Sequence, residues 1–250
     1  MTDDEQQRFL TALQMVCDQF NVELTETHRA QCLQFTRYLL EVNTHTNLTR
    51  ITEPEAVAIK HWGDSLTVFE AVPDLSADAT VMDVGTGAGF PGVALKIFRP
   101  ALRVSLLDSL MKRITFLNVA VTDQGLPEVV ALHLRAEDAG HLPAHRDAYD
   151  LVTARAVASL PTLLEWCAPL VRPGGKFVAM KTLEVDNEIS AAQNAARLLN
   201  VRLVNDVAVT LPAAPPDNEP LHRRLLVFEK RKPTPPRFPR TATEIKSKPL

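Results

Sequence analysis

The residues with the clearest chemical potential lie in one short stretch. Thr80-Val81-Met82-Asp83-Val84 is an apolar run that ends on a carboxylate, and Gly85-Thr86-Gly87-Ala88-Gly89-Phe90-Pro91-Gly92 follows directly. Four of the nine glycines fall within 85–92. Glycines there let the chain take positive φ and let a ligand approach without meeting a Cβ. A helix opening after the turn favours anionic ligand groups. Asp108 closes the next β-branched run, where an acid can accept hydrogen bonds from a ribose diol. Ala136-Glu137-Asp138 follow the third run, at the height where a bound adenine would sit.

Two ligand classes compete for such a turn. Gly87-x-Gly89-x-x-Gly92 matches the dinucleotide pattern, which would suit an NAD(P)-linked oxidoreductase. Counted from Gly85, where the turn opens, the pattern is G-x-G-x-G and the third fingerprint position is Phe90. Pro91 removes a backbone donor where a pyrophosphate would want one. Asp83 would repel a diphosphate and would suit the α-ammonium of a methionine moiety. The balance favours S-adenosyl-L-methionine.

These residues need a scaffold that brings strand ends together. Before residue 70 the pattern is helical: Phe9, Leu13, Val16 and Phe20 recur at spacings of three and four, and Thr25 is placed to cap a second helix. Pro54 is placed to start a third, running to Phe69. From residue 80, runs at 80–84, 103–108, 128–134, 149–154 and 176–181 alternate with helical stretches near 91–99, 111–124, 159–170 and 184–199, which predicts a parallel sheet covered on both faces. Two further runs, 201–210 and 221–230, are joined by a Pro-rich loop at 211–220 with no helix between, and so predict an antiparallel pair at the edge. The expected organisation is a helical segment over 1–70, a ligand-binding α/β domain over 71–230 and a basic, Pro-rich tail over 231–250.

Composition narrows the function. Hydrophobic residues make up 46% and the net charge is −3, which excludes a disordered chain. No apolar run approaches the roughly 18 residues of a membrane span. Cys17, Cys32 and Cys167 are too scattered for a disulfide framework or a zinc cage, which predicts a cytoplasmic protein with reduced thiols and no metal. The charge is uneven: residues 221–250 carry nine Lys/Arg and two acids, net +7, against −10 for the remainder. Arg223, Arg224, Lys230, Arg231, Lys232, Arg237 and Arg240, with Phe238 among them to stack a base, and Lys112 and Arg113 after Asp108, are the candidates for RNA contact. A non-catalytic RNA-binding module is therefore a further alternative.

The joint motifs V-M-D-V-G-T-G-A-G-F-P-G, L-L-D-S-L-x-K-R-x-x-F-L and A-R-A-V-A-S-L, with Asn47-Leu48-Thr49, Lys60-His61, Asp64-Ser65 and Met180-Lys181, resemble the ribosomal small-subunit RNA methyltransferase G family, also called glucose-inhibited division protein B. The resemblance covers essentially the whole chain. It implies a Rossmann-like class I methyltransferase fold, with a seven-stranded, mainly parallel sheet and an antiparallel edge hairpin behind the helical segment. It implies methyl transfer from S-adenosyl-L-methionine to guanine N7 at one position of 16S rRNA, with naked rRNA or the small subunit as partner; the chain is expected to act as a monomer. Family cofactor positions fall on Gly85, Phe90, Asp108, Ser109, Leu110, Ala136, Glu137 and Arg155. Arg155 and Lys181 are the catalytic candidates, both at strand ends beside the expected methyl position. Guanine N7 has a lone pair and no proton, so no general base, metal or covalent nucleophile is required.

Overall fold

The computed structural model describes residues 1–155, 158–216 and 218–250. Ala156 and Val157 of the A-R-A-V-A-S-L motif, and Asp217 of the Pro-rich loop, lie outside the described residues.

Two helices open the chain, α1 (Asp3–Gln19) and α2 (Glu26–Thr46). Thr2 and Thr25 cap them, each accepting a hydrogen bond from the backbone three residues on. Pro54 begins α3 (Pro54–Val57), as its fixed φ allows. The helix does not then continue regularly to Phe69: it passes through a π-helical turn, Ala58–Gly63, into α4 (Asp64–Ala71). Here both His61 and Trp62 meet the Phe90 ring, Trp62 also donates to Thr36 of α2, and Lys60 reaches the Pro215 carbonyl.

The sheet has seven strands in the order β3-β2-β1-β4-β5-β7-β6. β1 (Thr80–Val84), β2 (Arg103–Asp108), β3 (Val129–His133), β4 (Tyr149–Arg155) and β5 (Val171–Lys181) are parallel. β7 (Glu219–Lys230) pairs antiparallel with both β5 and β6 (Val201–Ala214). The helices between are α5 (Gly92–Phe98), α6 (Met111–Asp123), the single turn α7 (Ala136–Ala139), α8 (Leu160–Cys167), α9 (Asp186–Ala191) and α10 (Gln193–Leu198). The run expected as one helix over 184–199 is thus two. The Pro-rich loop is also shorter than 211–220: strand pairing extends to Ala214 and resumes at Glu219, and Pro212 is absorbed at a register shift between Leu211 and Ala213. β6 is an edge strand, where a missing N–H costs no ladder bond.

Strand alternation divides the core in two. Val81 and Leu151 face the N-terminal helices, with α5 and α6, while Met82, Val84, Val152 and Ala154 face α8 and α10. A period of two carries Asp83, Thr153 and Arg155 onto the N-terminal face. It also separates the catalytic candidates. Met180 packs with the N-terminal core and Ala179 with the opposite one, so Lys181 shares the face of Ala179 and lies away from Arg155.

The tail is folded. Helix α11 (Ala242–Ser247) is capped by Thr241. Arg146 donates to the carbonyls of Gly140, Phe238, Thr234 and Pro235. Glu165, fully buried, takes Arg240 through its backbone N–H at 2.9 Å, Nε at 2.8 Å and Nη2 at 2.7 Å. Buried Lys230 bonds Asp147 and the Ala168 carbonyl, and desolvation pulls its ammonium down to about 8 against the opposing pull of Asp147.

Candidate active site

The glycine turn is held from below. Gly85, Gly87 and Gly89 take φ of 69°, 61° and 100°, a region that side chains strain to reach. Gly85 N and Thr86 N both donate to the Leu107 carbonyl. Gly92 is packed so closely that a Cβ there would meet Leu106 Cδ2 at 2.3 Å. Asp83 does not reach out to a ligand. It is buried, and its oxygens accept from Gly92 N at 2.9 Å and from the Thr153 hydroxyl at 3.0 Å. Burial pushes this carboxyl up, against the pull of those hydrogen bonds. Its role is to brace the turn, and it already fills the anion position at the start of α5 that a diphosphate would need.

A cleft with about 600 Å³ of empty space opens beside the turn, at the C-terminal ends of β1, β2 and β3. Gly85, Asp108, Ser109, Ala136 and Glu137 line it, together with Arg113 and Trp166. Asp108 is a fixed acceptor: Oδ2 takes Gly87 N at 3.1 Å and Arg113 Nη1 at 2.9 Å, and Oδ1 takes Leu110 N at 2.9 Å. These bonds explain a cation at the start of α6, which the helix dipole disfavours. Arg113 reaches back to Asp108, and Lys112 reaches the Thr46 carbonyl.

The donor set fits the adenosine of S-adenosyl-L-methionine. Apolar Val84, Leu107, Ala136 and Trp166 offer walls for a flat base, and Asp108 and Glu137 supply acceptors. Two buried donors at the cleft, Arg113 Nε and Trp166 Nε1, have no hydrogen-bond partner among the described residues. Buried polar groups rarely stay unpaired, so a ligand with acceptor atoms is the natural complement. Trp166 carries no sequence signal for this role. It lies in the last turn of α8, and only the tertiary fold brings it to the ends of β1 and β2.

Two of the expected cofactor residues, Phe90 and Leu110, are not among the residues that line the cleft. The Phe90 ring is turned away from the cleft and buried, 4.9 Å from His61 in a parallel stack and edge-on to Phe35 and Trp62. Leu110 is 44% exposed and contributes its N–H to Asp108.

Arg155, at the end of β4, is drawn into the N-terminal helices. Nη1 donates to Asp64 Oδ2 at 2.9 Å and to the Lys60 carbonyl at 3.2 Å, and its guanidinium carbon lies 5.8 Å from the Phe90 ring centroid. Nη2 is 3.3 Å from His61 Nδ1. A guanidinium only donates, so Nδ1 accepts and Nε2 carries the proton to Thr49 Oγ1 at 2.8 Å. Lys181 is engaged elsewhere, with Glu188 at 2.7 Å and the Ala158 carbonyl at 3.0 Å. Glu188 also accepts Leu160 N, so the pair braces the start of α8.

Burial, with Arg155 beside it, pulls the His61 imidazole down to about 3 from 6.5. The unfolded chain therefore takes up a proton that the folded one refuses, and stability contributed by neutral His61 is lost as pH falls from 6.5 towards 3. Melting temperatures between about pH 7 and about pH 5 should fall less steeply for His61→Asn than for the wild type. Equal slopes would show that His61 is not the group responsible.

Comparison with known proteins matches residues 28–212 to the family described as rRNA small subunit methyltransferase G. The chain belongs to the rRNA small subunit methyltransferase G family. Its relatives of that name include one from Lactobacillus acidophilus, 42% identical over 92% of this chain and 94% of the relative, and one from Desulforamulus reducens, 41% identical over 95% and 97%. The fold is shared with precorrin-6y C5,15-methyltransferase of Geobacter metallireducens, at a TM-score of 0.50 and 13% identity over 66% of this chain and 87% of that one. It is shared too with M. jannaschii TYW2 in complex with AdoMet, at 0.51 and 14% over 67% and 76%. Membership makes this an S-adenosyl-L-methionine-dependent rRNA methyltransferase; the oxidoreductase and the non-catalytic module are not favoured.

The expected RNA-facing basic segment is largely neutralised within the fold of this methyltransferase. Arg224 pairs with Asp186 and Asp206, Arg231 with Glu229 and Arg240 with Glu165, while Arg223 shares Asp64 with Arg155. Phe238 is buried and therefore cannot stack a base. Among the described residues Lys232, Arg237, Lys246 and Lys248 carry no ion pair. No helix of the described residues is long and apolar enough to cross a membrane.

Proposed function

We propose that this family member methylates guanine N7 in 16S rRNA, with the adenosine held over β1–β3 and the target base brought to the end of β4. When bound, S-adenosyl-L-methionine supplies a methyl group on a sulfonium, open to in-line displacement. Asp108, Ser109, Ala136 and Glu137 hold the nucleoside end. The Gly85–Gly89 backbone sets the depth at which the cofactor sits, braced by Asp83. Arg155, one strand along from Gly85, is placed to meet the RNA.

The protein's work is orientation. Guanine N7 needs no deprotonation, so holding it in line accounts for most of the rate, an effect worth up to roughly 7–11 kcal/mol in model systems. One observation carries the reading: the Asp108-anchored cleft ends at the glycine turn, and β4, the next strand in the sheet, ends on an arginine whose guanidinium carbon lies 5.8 Å from the Phe90 ring of that turn. Lys181 supports the site by fixing α8 through Glu188.

The test is transfer of labelled methyl to isolated 16S rRNA and to small subunits, followed by mass mapping. Label at one guanine, with the mass and lability of N7-methylguanine, is the expected result. Label at another atom, or no transfer to either substrate, would overturn the proposal.

A further inference from the structure

Asp64 is a fully buried carboxylate at the first position of α4, just after the π turn. Two guanidiniums share it: Arg155 Nη1 on Oδ2 at 2.9 Å, and Arg223 Nε on Oδ1 at 3.0 Å. Arg155 ends β4 and Arg223 lies in β7, so one acid from the N-terminal helices ties together two strands that β5 separates. One cation would balance this carboxylate. The second leaves the cluster with a net positive charge.

Among the described residues, both arginines keep donors in reserve. Of five N–H bonds, Arg155 commits two from Nη1 and one from Nη2, leaving Nε–H and one Nη2–H. Arg223 commits Nε to Asp64 and one Nη1 bond to the His222 carbonyl, leaving three. Their side chains stay 15% and 18% exposed, so the unused donors have access to solvent.

We propose that Asp64 is a positioning residue, which holds Arg155 and Arg223 as a paired guanidinium seat for a phosphate of the RNA strand bearing the target guanosine. The inference rests on the function proposed above. A phosphate fits better than the base edge for two reasons. A donor on N7 would occupy the lone pair that must attack the methyl group. Five N–H bonds and a surplus positive charge also match a phosphate, which accepts several charge-assisted hydrogen bonds, better than they match a single O6.

The experiment compares full-length wild type, Asp64→Asn, Asp64→Glu and Arg223→Gln in methyl transfer to small subunits or 16S rRNA. S-adenosylhomocysteine affinity, RNA affinity by filter binding and melting temperature are measured alongside. Asp64→Asn should raise the KM for RNA at least about tenfold, with S-adenosylhomocysteine affinity within about threefold of wild type. Asp64→Glu should recover part of the loss. Arg223→Gln should raise the same KM without lowering the melting temperature, and it carries the test if Asp64→Asn does not fold. An Asp64→Asn that loses only melting temperature, or loses cofactor affinity in step with RNA affinity, overturns the assignment. If the wild type transfers no methyl group, the proposed function fails, and filter binding still reads Asp64: unchanged RNA affinity in both variants overturns the phosphate seat.

Discussion

Asp108→Ala is expected to weaken S-adenosylhomocysteine binding by roughly a hundredfold or more. The carboxylate is 2% exposed and holds Gly87 N, Leu110 N and Arg113 in place. Its removal deletes the acceptor proposed for the ribose and frees the three donors that shape the cleft. Hydrogen bonds to a charged group contribute about 1.5–3 kcal/mol each, so losing two at the low end gives about 3 kcal/mol, a factor above one hundred in affinity. Asp108→Asn keeps one oxygen and the shape of the side chain, and should fall between. Calorimetric titration of the three proteins checks this. Wild-type affinity in Asp108→Ala would place the nucleoside somewhere other than this cleft.

Glu165→Ala should produce the largest loss of stability. The side chain sits with 0% exposure and takes three hydrogen bonds from Arg240, one through the backbone. Removing one partner of a buried ion pair costs about 3–5 kcal/mol, and the lower end applies because the Arg240 side chain is 21% exposed. For a chain of this size the melting temperature should fall by about 6–12 °C. The tail after Lys232 should also become more open to proteolysis, although bonds from Arg146, His141 and Asn200 to its carbonyls remain. A variant that loses less than about 1 kcal/mol and keeps a resistant tail would show that the pair is no more than a surface contact.

Much of the fold was legible because its signals are local. Thr25 and Pro54 start helices as expected, and strand runs such as Arg103–Asp108 carry alternating apolar residues that a pleated sheet must bury. The π turn at Ala58–Gly63 was not legible, because its contacts are tertiary: His61 stacks on Phe90 and Trp62 meets the same ring edge-on, about 30 residues away. The site divided in the same way. Asp108, Ser109, Ala136 and Glu137 follow strand ends, and strand ends converge in any parallel sheet. Trp166 reaches the cleft from a helix, which no strand-end rule anticipates. Asp83 was misplaced because spacing shows where a carboxylate lies along the chain, and not that Gly92 N and Thr153 already hold it. The basic tail misled for a related reason: Arg240 and Lys230 count as surplus charge until Glu165 and Asp147, 75 and 83 residues away, are seen to meet them.

The tie between Asp64 and Arg223 spans 159 residues. During synthesis the N-terminal helices leave the ribosome with Phe35 and Trp62 ready for burial, yet the face they pack on is completed by Leu225 and Val227 of β7. At about 5–20 residues per second, that face waits roughly 8–30 seconds for the strand that closes it. The order of elements therefore makes the nascent chain dependent on protection of its earliest apolar surface, and Asp64 meets its second arginine only when β7 has emerged.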